Sequence, residues 1–211
     1  MIFEDEATQL VKFRQTYEAM GFDVIPVLVA QHCDDKYVKD GHINADAVRH
    51  DTINMPEDST SNLLDMREID LAVRSKSEVR ELLATIKPDY VLSDLAMRMP
   101  LNREAPEEDN IADDDVVRGT DVMAIVKELA PKTPRAIHTT DFNGLLYANV
   151  PNNPERQAAM RESGQNKLRA AQELGRREGY LIMPKDRDDH TSTEAIAEHF
   201  RSQQEKIVPL M

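Results

Sequence analysis

Three acidic residues sit where a chain can bring carboxylates together. Glu4 and Asp5 follow the apolar pair Ile2-Phe3, and Asp94 follows Tyr90-Val91-Leu92-Ser93. If each apolar run is a strand of an open parallel sheet, their carboxyl ends can be neighbours, and sites in such sheets form there. Carboxylates in one cleft repel one another, so the group calls for a cation among them or for uptake of a proton. Magnesium suits such a donor set, because it takes oxygen ligands, is held by one or two carboxylates plus phosphate oxygens, and keeps several waters. A carboxylate beside that ion can act as nucleophile toward a phosphoryl donor and form an acyl phosphate. The plainer reading makes Glu4-Asp5-Glu6 acids that favour a helix dipole and Asp94 a turn cap after a strand.

The elements that must position these residues are visible as hydrophobic periodicity. Leu10, Phe13, Tyr17 and Met20 recur at three- and four-residue spacing over Ala7 to Met20, predicting a helix that Gly21 ends. Phe22 to Ala30 is β-branched and reads as extended, with Pro26 arguing for an edge or a break. Residues 31–67 are polar and without sustained periodicity, and are expected to be an insertion carrying a hairpin or a short helix. Ile69 to Val73 alternates like a half-buried strand, Ser77 is placed to cap a helix bearing Val79, Leu82, Leu83 and Ile86, and Pro88 follows it. Residues 101–118 form a second polar insertion. Gly119 and Thr120 then open a helix expected to turn Val122, Ile125, Val126 and Leu129 inward. Arg135 to Thr139 reads as a strand, Pro154 to Glu178 as a long polar helix, Tyr180 to Met183 as a short strand, and Thr193 to Lys206 as a last helix with Ile196, Phe200 and Ile207 inward. This alternation implies an α/β, doubly wound parallel sheet, within a single domain over 1–211.

Composition limits what the protein can do. The hydrophobic share of 40% and charged share of 31% are those of a chain that folds on its own core. No apolar run is long enough to cross a bilayer, and acids stand near the start where a signal peptide would carry bases, so no membrane insertion and a cytoplasmic location are expected. The single cysteine, Cys33, cannot form an internal disulfide. A net charge of -13 argues against direct nucleic-acid binding. The set His32, Cys33, Asp34, His42 and His50 contains possible transition-metal ligands, but its spacing fits no tight ligand pair, and a solvated insertion is the expected reading. His138, on a strand expected to be buried, reads as a hydrogen-bonded core histidine.

The order of motifs resembles a known family. Ile2-Phe3-Glu4-Asp5-Glu6, an amphipathic helix and Gly21-Phe22-Asp23-Val24 resemble the opening of the receiver domain of two-component response regulators. Lys87-Pro88-Asp89-Tyr90-Val91-Leu92-Ser93-Asp94, with Met97 and Pro100, resembles the strand and loop bearing the phosphoacceptor, and Gly119 the glycine opening the next helix. Thr133 to Thr139 resembles the fourth strand and Gly179 to Pro184 the fifth. The resemblance implies a five-stranded flavodoxin-like sheet of order 2-1-3-4-5, with Asp94 as phosphoacceptor. It implies Mg2+ held by Glu4, Asp5, Asp94 and the backbone carbonyl of Ala96, Thr139 as the hydroxyl contacting the phosphoryl group, and Tyr180 as the switching aromatic. It implies a histidine kinase or phosphotransfer protein as donor and a downstream protein as partner. Met183 stands where the family has lysine, and a thioether offers neither charge nor a donor. Lys185, two residues on and so on the same strand face, is the candidate substitute. A degenerate receiver that binds partners without phosphorylation is the alternative. A magnesium-dependent phosphohydrolase would want a second aspartate two positions after Asp94, where Ala96 stands.

Overall fold

The computed structural model describes residues 1–31, 33–54, 61–95, 116–140, 153–185 and 190–207. They belong to two compact units, 1–133 and 134–211. In the first, β1 (Ile2–Glu4), α1 (Ala7–Ala19) and β2 (Pro26–Val29) are followed by a 3-10 turn (Asp35–Tyr37), β3 (Val38–Lys39), β4 (His42–Ile43), α2 (Ala45–Asn54) and α3 (Ser61–Met66). Then come β5 (Leu71–Val73), α4 (Lys76–Ile86), β6 (Val91–Ser93) and α5 (Gly119–Leu129). The second unit contains β7 (Arg135–Thr139), α6 (Pro154–Glu178), β8 (Leu181–Pro184) and α7 (His190–Ile207).

The α/β class is as the sequence implies, but a five-stranded parallel sheet is not what forms. Among the described residues the first unit alone holds six strands in the order β3-β4-β5-β2-β1-β6, and β4 runs antiparallel to β5. The sheet is therefore mixed. Its parallel part, β5-β2-β1-β6, contains the expected neighbours β2-β1-β6 and adds β5 outside β2. Residues 31–67 supply the β3-β4 hairpin and two helices, so this insertion extends the sheet. Pro26 is the first residue of β2, where its missing N–H costs no ladder bond, and β2 lies inside the sheet between β1 and β5 instead of at an edge. In the second unit β7 and β8 pair in parallel from Ala136↔Leu181 to Thr139↔Pro184.

Burial follows the sequence stripes. Leu10, Phe13 and Tyr17 of α1 are buried, and that helix rests on β1, β2 and α3. Phe3, Val27, Leu28, Val79 and Met123 are among the fully buried side chains of this core. The cap of α4 is Ser75, not Ser77: the Ser75 hydroxyl accepts the Glu78 N–H at 3.2 Å, while the Glu78 carboxylate accepts the Arg74 N–H at 2.6 Å. Leu129, expected inside, is 40% exposed at the end of α5. Arg176 and Arg177 lie in the last turn of α6, where they complement its dipole, and Gly179 closes it at φ +80°. Ile196 and Phe200 of α7 are buried as expected, while the Ile207 side chain lies outside the described residues.

One close approach fixes the end of β6. The Gly119 N–H donates to the Leu95 carbonyl at 3.1 Å, and a Cβ on Gly119 would stand 2.0 Å from the Asp94 carbonyl oxygen and 3.0 Å from the Leu95 Cα. Both are backbone atoms, so no side chain can rotate away. Gly119→Ala is expected to force β6 and α5 apart, at a cost of about 1–3 kcal/mol or more. Urea unfolding of wild type and variant measures it; equal midpoints would mean the two backbones are not held this closely.

Candidate functional site

Register brings two of the acids together. β1 and β6 pair in parallel through Ile2↔Leu92 and Phe3↔Ser93, and the Asp94 N–H donates to the Phe3 carbonyl at 3.0 Å. One step further along the same register stand Glu4 and Asp94, whose side chains therefore leave the same face of the sheet. Asp5 follows directly in the turn to α1. The three side chains place one carboxylate oxygen each within 4.8 Å of one another. Glu4 and Asp94 are buried, at 3% and 7% exposure, and Asp5 is half-buried.

The local backbone explains how a buried Glu4 is tolerated. Its Oε1 accepts the N–H groups of Asp5 at 3.2 Å and Glu6 at 3.4 Å, at the start of α1. Glu6 is the N-cap and its own side chain makes no capping bond, so Glu4 answers the helix end from two residues upstream. The plainer reading of Glu4 is thus partly right. Asp94 stands directly after β6, where a turn cap would also stand, and what the plainer reading leaves out is the convergence of all three groups.

Past the ends of β2 and β5, Arg74 and Cys33 are in contact, a pairing that no local pattern of residues indicates. Arg74, just past β5, donates to the Cys33 carbonyl and the Asp34 carbonyl at 3.1 Å each, and pairs with Asp35. It pins the loop after β2. Burial pushes the Cys33 thiol up from its ordinary value, against the pull of the Arg74 guanidinium, and the Asp5 charge adds to the rise. Cys33 therefore lies within electrostatic reach of Asp5.

The possible transition-metal set of the insertion is not assembled among the described residues. His50 Nδ1 lies 3.0 Å from Asp51, which also takes the Tyr37 hydroxyl and the Lys36 ammonium at 2.7 Å, a network that ties the 3-10 turn to α2. His32 lies outside the described residues, as do Ala96, Met97 and Pro100 of the proposed acceptor loop and residues 101–115 of the second insertion.

The second unit gathers its own polar residues at the ends of its two strands. Thr139 is fully buried and Lys185 is 5% exposed, and the Lys185 N–H donates to the Thr139 carbonyl at 2.7 Å. Met183 pairs in register with His138 and is half-buried; Tyr180 is buried just before β8, where burial raises its phenol. His138 is a core histidine as expected, with Nε2 2.9 Å from the Ser192 hydroxyl in the first turn of α7. Nothing in the residue spacing had pointed to Ser192.

Comparison with protein-family models, curated proteins and solved structures returned no match. The likeness to a receiver rests on the residues themselves.

The donor set fits a hard divalent cation. Among the described residues it consists of three carboxylates, two of them buried, at distances where ionised groups repel one another. At an effective dielectric of about 20, a pair of ionised carboxylates separated by the widest of these distances repels by about 3 kcal/mol. Glu4→Gln keeps an amide oxygen for the Asp5 and Glu6 N–H groups while removing the charge. It and Asp94→Asn are expected to unfold at higher temperature than wild type without metal, and to lose most of the stabilisation that magnesium gives wild type. That stabilisation is about 2.7 kcal/mol at a hundredfold excess over Kd. Calorimetric scans with and without magnesium chloride provide the comparison, and a wild type indifferent to magnesium would remove the cation from the account.

Proposed function

We propose that the chain is a receiver-like signalling domain that accepts a phosphoryl group on Asp94 with the help of Mg2+. The observation that supports this reading is the convergence of Glu4, Asp5 and Asp94 within 4.8 Å at the ends of two paired parallel strands. The residue matches around Asp94, Gly119 and Thr139 agree with it. A cation bound by the three carboxylates would supply positive charge beside the transferring group.

In the proposed step a carboxylate oxygen of Asp94 gives its electron pair to phosphorus as the bond from phosphorus to the donor's leaving atom breaks. The leaving group departs with that electron pair and takes its proton from solvent, and the product is an acyl phosphate on Asp94. Glu4 is a poorer nucleophile, since its Oε1 already accepts two backbone N–H groups. Asp94 occupies the phosphoacceptor position of the resemblance. In this proposal Thr139 has the family's hydroxyl role and Lys185 replaces the lysine that Met183 displaces. Lys185 lies just past β8 at 5% exposure, and its N–H donates to the Thr139 carbonyl at 2.7 Å, which supports pairing the two residues in this reading. Tyr180 would carry the change to a protein partner, with a histidine kinase or phosphotransfer protein as donor. Among the described residues no helix is long and apolar enough to cross a membrane.

Intact-mass analysis after incubation with acetyl phosphate tests the proposal on wild type, Asp94→Asn and Lys185→Ala. The expected result is a phosphoryl adduct that requires magnesium, is absent from Asp94→Asn and forms more slowly in Lys185→Ala. A folded wild type that takes no label under conditions that label a control receiver would leave the degenerate binding module, with Met183 as its signature, as the better reading.

A further inference from the structure

At the other end of β6 from Asp94, a hollow of about 320 Å³ opens between the last turns of α4 and α5. Its floor is Leu83, Val91 and Val126, all buried, and its rim includes Lys87, Leu129 and Thr133. Three backbone acceptors of its lining residues are in use: Leu83 C=O takes the Lys87 N–H at 3.0 Å, Val126 C=O the Ala130 N–H at 2.8 Å, and Ala130 C=O the Thr133 N–H at 2.9 Å. Most of the lining is apolar. A volume of this size lies at the lower end of small-molecule sites, which combine apolar walls with a few placed polar groups.

The charge at the rim selects the kind of ligand. Lys87 is the one charged residue among the described lining residues, which include no carboxylate, in a chain whose net charge is -13. Its backbone is held in the left-handed region at φ 52°, tied to the last turn of α4, so its side chain starts from a fixed point. The negative ends of the α4 and α5 dipoles disfavour an anion deep in the hollow and leave the Lys87 ammonium as its partner at the mouth. Leu129, a large apolar side chain 40% exposed at that rim, would be covered by an occupant.

We propose that this hollow binds a small molecule with an apolar body and one carboxylate, the body on Leu83, Val91 and Val126 and the carboxylate on Lys87. The inference does not depend on the cation or on phosphorylation of Asp94.

Titration of the 211-residue chain with sodium octanoate, and separately with octylamine, followed by amide chemical shifts, tests it. Octanoate is expected to give saturable shifts centred on Leu83, Val91 and Val126, and octylamine much weaker ones. Lys87→Gln should weaken octanoate by about tenfold or more, as the loss of a charge-assisted bond does. Ala84→Phe, at an exposed helix position that also lines the hollow, should abolish the shifts without unfolding the chain. Absence of saturable shifts with octanoate would overturn the proposal, as would equal binding of octanoate and octylamine unaffected by Lys87→Gln.

Discussion

Mutual repulsion among Glu4, Asp5 and Asp94 is the constraint on which the first unit turns. Carboxylates held within 4.8 Å, two of them buried, repel one another when ionised, and the surrounding structure holds them there. The parallel register of β1 and β6 does part of this, because Glu4 and Asp94 stand side by side on one face once Phe3 is matched to Ser93. The turn to α1 does another part, through the two N–H groups that Glu4 accepts. Gly119 completes it by letting α5 touch the backbone of Asp94 and Leu95. A cation among the carboxylates would offset this repulsion, as the proposed function requires.

Each unit contributes a polar group of its own kind. The first has carboxylates at strand ends, and the second has Thr139, Lys185, His138 and Ser192 buried around the ends of β7 and β8. Unpaired polar groups are costly inside a protein, so clusters this deeply buried persist where hydrogen bonds or function retain them. The His138–Ser192 contact joins β7 to the first turn of α7 and accounts for the histidine without assigning it any chemistry.

Much of this was legible because the signals were periodic or terminal. Leu10, Phe13 and Tyr17 declared α1, and an aspartate directly after Tyr90-Val91-Leu92-Ser93 declared a strand with an acid at its end. The extra reach of the sheet was not legible: β3 and β4 have two residues each, too short for any alternation to register, and β5 joins β2 through contacts remote in sequence. Choosing Ser75 over Ser77 as the α4 cap required knowing where the backbone turns, since both are serines within one turn. Leu129 fits the helical stripe of α5 but lies in its last turn, beside a hollow instead of a neighbour. Arg74 and Ser192 act through partners more than forty residues away or on another element, and no local pattern encodes them.

The three carboxylates are proposed to form a divalent-cation site. A crystal of the 211-residue chain grown with manganese, which takes the same oxygen ligands as magnesium and scatters anomalously, tests this most directly. An anomalous peak bonded to Glu4, Asp5 and Asp94, and lost in Glu4→Gln, is the expected result. Manganese bound elsewhere, with these carboxylates separated or linked only by water, would contradict it.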